Sequence, residues 1–90
     1  MDRQSVYAVI DSERDYQHKV WNDANRKGAA NNPSSFILFM EEYLCKARAV
    51  ACRVDEGNSE DVAKIMDIIR KVVALGVAAA EFNGMPKRLE

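Results

Sequence analysis

The chain has 90 residues, of which 48% are apolar, and its thirteen basic and fourteen acidic side chains leave a net charge near −1. So short a chain forms one domain, residues 1–90, and its balanced charge lacks the basic excess that binding to duplex nucleic acid requires. It contains no run of 18 apolar residues and no signal-peptide core, so we expect a cytoplasmic protein that does not enter the membrane.

The first predicted helix covers about residues 5–22. Residues 23–33 follow as a long loop, because they have no apolar periodicity and contain Gly28 and Pro33. The stripe that predicts the helix has spacings of three and four and mixes apolar with polar side chains. Its members are Val6, Val9, Ile10, Glu13, Tyr16, Gln17, Val20 and Trp21.

The second helix is predicted over about residues 35–54, with Ser34 or Ser35 as its cap, because apolar residues there keep a period of 3.6 for almost five turns. A short DEGN connection leads to a third helix over about residues 59–83, which Gly84 ends. So short a connection predicts that these two helices form an antiparallel hairpin. We therefore expect an all-α protein of three helices, and its high apolar content predicts an oligomeric bundle in which another copy covers part of the surface.

Residues 12–21, SERDYQHKVW, contain the only Trp and the only His of the chain. Aromatic and cationic side chains interleave there, and the following loop adds two more cations. A ligand pocket in this region would stack a base on Trp21 or Tyr16 and would bind phosphate through the cations. The candidate ligand-binding residues are Arg14, Tyr16, Gln17, Lys19, Trp21, Arg26 and Lys27.

Two other interpretations of this stretch remain open. In the first, Tyr16 and Trp21 pack against the hairpin while Glu13, Arg14 and Asp15 form a solvated face. In the second, the stretch is a protein-binding surface.

An acidic pair, Glu41-Glu42, lies on the second predicted helix and suggests a magnesium site. A Mg²⁺ ion that engages nucleotide phosphates draws on several carboxylates from facing helices. On the third helix, however, Asp67 is followed three positions on by Arg70 rather than by a second acid. Glu42 also precedes Lys46 by four residues, the order of an exposed helical ion pair. The spacing therefore favours a solvated pair over a metal site.

Three patterns carry a resemblance to a known group of proteins: IDSERDYQHKVW, FMEEYLCKA and IRKVVALGVAAAEFNGMP. Together they resemble small helical proteins of tailed bacteriophages, over nearly the whole chain except the loop. Such proteins are similar in turn to the MazG-like all-α nucleoside triphosphate pyrophosphohydrolases, whose signature is E-E-x-x-E on one helix and E-x-x-D on the next. Glu41 and Glu42 match the first two acids, Cys45 or Lys46 stands at the third, and the third helix has no E-x-x-D.

The resemblance implies a helical scaffold that recognises a nucleotide-like ligand, in a phage setting where small oligomeric proteins often blunt host defence. We therefore expect a non-catalytic homo-oligomer without a cofactor that sequesters a nucleotide-derived ligand, such as a cyclic nucleotide signal, in the infected cell. One alternative is a Mg-dependent pyrophosphohydrolase that uses Glu41 and Glu42 with acids from another subunit. Another is an adaptor that inhibits a host protein through its apolar third helix.

Overall fold

The computed structural model describes residues 1–23, 31–53 and 57–89, and these residues form three α-helices. Helix α1 spans Arg3–Asp23, α2 spans Pro33–Ala51 and α3 spans Ser59–Asn83. The prediction of an all-α protein with three helices is confirmed. Within the described ranges, none of the helices combines the length and the apolar character needed to cross a membrane.

Helix α2 begins earlier than predicted because Asn32 is its cap. The Asn32 Oδ1 atom accepts a hydrogen bond from the Ser35 backbone N–H at 2.8 Å. Pro33 occupies the first helical position, where its fixed φ suits the helix and its missing N–H leaves no bond unmade. The predicted cap at Ser34 or Ser35 is therefore wrong, since both residues lie inside the first turn. The last predicted residue of this helix, Val54, lies outside the described residues.

Helices α1 and α3 also have side-chain caps at their N-termini. Asp2 accepts the Ser5 N–H at 2.8 Å, which lets α1 begin two residues before the predicted start. Asn58 accepts the N–H groups of Glu60 and Asp61 at 2.9 and 3.4 Å. At its other end α3 stops at Gly84, whose φ of 78° is a conformation that glycine adopts without steric cost.

Helix α3 packs against both other helices. Phe36, near the start of α2, stacks on Phe82, near the end of α3, with ring centroids 6.1 Å apart. Toward the opposite ends, Val50 of α2 and Ala63 of α3 line one groove. The start of α2 thus lies beside the end of α3, and α1 lies along another side of α3.

The core is small. Its buried cluster consists of Phe36, Leu75 and Ala78, and Ile10 on α1 is the third large apolar side chain that is buried in the described residues. Half-buried side chains pack around this cluster; they are Trp21, Phe39, Met40, Tyr43 and Ala79. The tertiary structure of a single chain therefore depends on few apolar contacts.

The surface of the chain is large for its mass. A compact monomer of 10.1 kDa exposes about 5,300 Å², whereas this chain exposes 7031 Å². Its radius of gyration is 14.7 Å, compared with about 12 Å for a compact domain of this length. Much apolar surface therefore remains uncovered, including Tyr7, Ile37 and Leu44, which are exposed.

The cap of α2 gives a direct test of this arrangement. We expect Asn32→Ala to lower the free energy of unfolding by about 0.5–2 kcal/mol, because the Ser35 N–H loses its acceptor. Urea denaturation followed by circular dichroism measures the change. Asn31→Ala is the matched control. Asn31 is exposed, and the hydrogen bond that it accepts from the Asn83 side chain uses its backbone carbonyl, which the substitution keeps. Equal losses from the two variants would contradict the assignment of the cap.

Candidate ligand-binding site at the junction of α1 and α3

Helix α1 carries all of the buried polar or charged side chains in the described part of the chain. Glu13, Arg14 and Gln17 are only 9%, 7% and 8% exposed. Together with Ile10 they lie on the side of α1 that faces α3, at helical spacing. Charged side chains are seldom buried unless they are paired, so their partners on α3 define this region. The contact of these side chains with α3 is termed the junction.

The first part of the junction is a charge network around Arg70. Its Nε–H donates to Glu13 Oε1 at 2.6 Å, and its Nη2 donates to Asp67 Oδ1 at 2.5 Å. Lys71 Nζ lies 3.2 Å from Asp67 Oδ2. Hydrogen bonds from Arg70 and Lys71 hold the pKa of Asp67 below its ordinary value, and the bond to Glu13 raises the pKa of Arg70. The network therefore neutralises its own charges.

Arg14 forms the second part of the junction. Its Nε–H donates to the Glu81 carboxylate. The guanidinium carbon also lies 5.3 Å from the centre of the Trp21 ring, which places a cation over an aromatic face. The remaining nitrogen Nη1 is buried and has no hydrogen-bond partner. A buried, charged group thus keeps unused donors.

Gln17 also has a buried polar atom without a partner, which is an acceptor rather than a donor. Its Nε2 donates to the Lys71 carbonyl at 3.3 Å, but its Oε1 is buried without a partner. Because Arg14 and Gln17 are three residues apart, they are neighbours on the surface of α1. Each buried polar atom left without a partner costs about 1–3 kcal/mol. A group that both accepts and donates, such as a hydroxyl, could pair with either atom.

Three of the predicted ligand-binding residues meet at the junction: Arg14, Gln17 and Trp21. Trp21 is half-buried, and its ring centroid lies 6.4 Å from that of Phe36. The indole ring therefore connects the junction to the core. One of its faces carries the Arg14 guanidinium, so ring and cation are next to each other.

Two of the other predicted residues, Tyr16 and Lys19, are not brought to the junction. Tyr16 is 62% exposed and Lys19 is exposed, and their positions on α1 turn both away from α3. Arg26 and Lys27 lie outside the described residues. Of the predicted cations, Arg14 is thus the one that the described structure places beside an aromatic ring at the junction.

The interpretation in which Glu13, Arg14 and Asp15 form a solvated face is wrong for the first two residues. Both are buried and ion-paired, whereas Asp15 is exposed. The physical reason is that α3 supplies a charge of opposite sign to each of them, Arg70 to Glu13 and Glu81 to Arg14. Polar residues on a helix therefore do not by themselves identify its solvent side.

The partners on α3 were not among the predicted site residues. Arg70 and Lys71 lie in a sequence rich in charges and give no clear signal. Glu81 is different, because it is the one acid in the apolar run VVALGVAAAEF. An isolated acid in such a run indicates a cation on a neighbouring helix, and this signal could have predicted the bond to Arg14.

The acidic pair of α2 lies away from the junction. Glu41 and Glu42 are both exposed, and they sit about 140° and 120° around the helix from the buried Phe36. Within residues 1–23, 31–53 and 57–89, no three His, Cys, Asp or Glu side chains come together as a set that could hold a metal ion.

A concave surface lies between α2 and α3. This groove has a volume of about 450 Å³ and is open to solvent. Its lining residues are Lys46, Val50, Ala63, Lys64, Asp67 and Ile68. In the described residues, the buried polar atoms without partners lie at the junction and not in this groove. The junction is therefore the stronger candidate site.

Comparisons with protein-family models, with curated proteins and with solved structures find no match for this chain. The resemblance to phage proteins and to MazG-like enzymes therefore rests on the quoted motifs alone. Any function has to be argued from the geometry of the junction and of the surrounding surface.

Proposed function

We propose that this chain is a non-catalytic protein that binds a nucleotide-derived ligand at the junction. The observation that carries the proposal is two buried atoms without partners, Arg14 Nη1 and Gln17 Oε1, on residues that lie three positions apart on α1. A sugar hydroxyl can accept a hydrogen bond from a guanidinium and donate one to an amide oxygen. Ribose hydroxyls could therefore pair with either atom, and nucleotide-derived ligands carry such hydroxyls.

Trp21 would stack the base of the ligand, and Glu81 would give up its place on Arg14 to a ligand phosphate. The half-buried Trp21 ring offers an aromatic surface, and stacking a base on such a ring contributes about 1–3 kcal/mol. The Glu81 side chain is 53% exposed, so its carboxylate can leave Arg14 and be hydrated. A ligand phosphate could then take its place on the guanidinium and form a charge-assisted bond.

Binding without turnover is proposed because Glu13, the buried acid of the junction, is already paired. Glu13 accepts a bond from Arg70, which leaves Glu81 as a single hydrated carboxylate once a phosphate displaces it from Arg14. A carboxylate that is held by a guanidinium is a weak general base and a poor magnesium ligand. The proposed role is sequestration, and the phage setting of the resemblance suggests a cyclic nucleotide signal of host defence, bound in the cytoplasm of the infected cell, as the ligand.

The proposal includes self-association into a homo-oligomer, built on the antiparallel packing of α2 and α3. It is supported by the surface of the chain, which is about 1,700 Å² larger than that of a compact monomer of the same mass. A small core together with a large apolar surface is typical of a subunit rather than of a stable monomer.

Gln17→Met tests the ligand site, because it keeps the volume of the side chain and removes its polar atoms. We expect the affinity for the ligand to fall about tenfold, while the stability changes little, since removing a buried acceptor without a partner offsets the loss of the bond to the Lys71 carbonyl. Calorimetry in moderate salt measures binding to cyclic dinucleotides, cyclic trinucleotides and ADP-ribose derivatives. Thermal unfolding measures stability.

Gln4→Met is the matched control, since Gln4 is an exposed residue of the same helix. It should change neither binding nor stability. The proposal fails if no member of the panel binds the wild-type protein. It also fails if a ligand binds the wild type and Gln17→Met equally well, because the ligand would then occupy another surface, such as the groove between α2 and α3.

A further inference from the structure

Helices α1 and α3 each leave a stripe of large apolar side chains exposed. These side chains are between 37% and 62% exposed. Within each stripe the residues recur every three or four positions. The exception is one step of seven residues on α1, and Glu13 stands within it. Such spacing is typical of a surface that packs against another helix. The eight residues, termed the outer face, are Val6, Val9, Tyr16 and Val20 of α1 and Met66, Ile69, Val73 and Val77 of α3.

An ion pair connects the two stripes. On α1, Glu13 stands in the stripe between Val9 and Tyr16 at the same helical spacing. On α3, Arg70 lies four residues after Met66 and three before Val73, so it is next to both on the helix surface. The Arg70 Nε–H donates to Glu13 Oε1 at 2.6 Å. The outer face thus consists of two apolar stripes that a neutralised ion pair connects.

We propose that a second copy of this chain packs on the outer face. This inference rests on the proposed self-association and names the surface that produces it. A stable interface takes about 800 Å² from each partner, and the excess surface of this chain, about 1,700 Å², is sufficient for such a contact. Three large apolar side chains are buried in the described residues, which is a small core. Packing against a second copy therefore adds much to the apolar surface that the chain buries.

The charges of the outer face favour an identical partner. Glu13 and Arg70, which connect the two stripes, neutralise each other within one chain, and the eight residues of the face are uncharged. Two identical faces can therefore meet without repulsion between like charges, and neither copy needs a complementary charge on the other. A contact through the same patch on both subunits is also the commonest arrangement in homo-oligomers.

Val73→Glu tests this surface, and Leu44→Glu on α2 is its matched control, since the two residues are 44% and 47% exposed. Sedimentation velocity over a range of protein concentrations measures the mass of each full-length variant. We expect the wild type at a multiple of 10.1 kDa, and Leu44→Glu at the same mass. For Val73→Glu we expect a monomer, with the dissociation constant raised about 100-fold or more, because an unpaired carboxylate would be buried at each contact.

Circular dichroism at each protein concentration shows whether Val73→Glu remains helical, so loss of the fold is distinguished from loss of association. A monomeric wild type overturns both the self-association and this surface, and would mean that the outer face serves a different protein. An oligomeric wild type that is dissociated by Leu44→Glu but not by Val73→Glu overturns this surface alone. Ligand binding is measured separately, so its failure leaves the inference intact.

Discussion

Phe36→Ala is expected to lower the free energy of unfolding by about 3–5 kcal/mol. Phe36 is 1% exposed, and its ring centroid lies between 6.1 and 6.4 Å from those of Trp21, Phe39 and Phe82. The ring thus connects the end of α1, the start of α2 and the end of α3. Few other large side chains are buried, so little else can compensate for its removal.

Such a loss is a large part of the total stability, which is about 5–13 kcal/mol for a domain of this length. The melting temperature should fall by about 15–30 °C. Thermal unfolding is followed by circular dichroism, with wild type and variant at the same protein concentration because association also stabilises the folded state.

Leu38→Ala is the control for the core prediction. Leu38 lies on the same helix and is 64% exposed, so the change should stay within about 0.5 kcal/mol. If Phe36→Ala cost less than about 1 kcal/mol, the convergence of the three helices on this ring would be contradicted.

The ion pair between Arg14 and Glu81 should respond unequally to the loss of each partner. The Arg14 side chain is 8% exposed, whereas that of Glu81 is 53% exposed. Glu81→Gln leaves a buried cation without a counter-charge and should cost about 2–3 kcal/mol, less than for a fully buried pair because solvent screens the exposed partner. Arg14→Met leaves a carboxylate that water can solvate and keeps most of the apolar stem, so it should cost about 1 kcal/mol or less.

Urea denaturation of the two single variants and the double variant gives both losses and their coupling energy. Glu42→Gln, on the exposed surface of α2, controls for the general effect of removing a carboxylate. Equal losses from the two single variants would mean that Arg14 is as well solvated as Glu81, and the burial on which the ligand site depends would then be in doubt.

The fold class could be predicted from the sequence because the apolar periodicity of α2 and α3 is long and regular. The same periodicity overestimated the buried surface. Ile37 and Leu44 belong to the predicted apolar stripe of α2, yet they are 55% and 47% exposed, since α3 covers only the narrow strip that contains Phe36 and Ala47. A pattern indicates which side of a helix is apolar, but it does not indicate how much of that side the neighbouring helix covers.

The candidate site could be predicted only in part, for a related reason. The stretch around Trp21 is rich in polar and aromatic groups, and Arg14, Gln17 and Trp21 of the predicted set lie at the junction. The partners of its buried charges are distant in sequence, with Arg70 lying 57 residues after Glu13 and Glu81 lying 67 residues after Arg14. A pairing over such separations depends on the angle at which two helices cross, and local spacing contains no information about that angle.

The small core also links the folding of this protein to its abundance. If association supplies much of the stability, the folded fraction rises with the number of copies in the cell, and chains made in small amounts are open to proteolysis. Sequestration of a small molecule also requires many copies of the protein. A binder without turnover holds each ligand molecule, so the number of binding sites must match the number of ligand molecules. The level of synthesis that makes the proposed sequestration effective is therefore also the level that keeps the subunits folded.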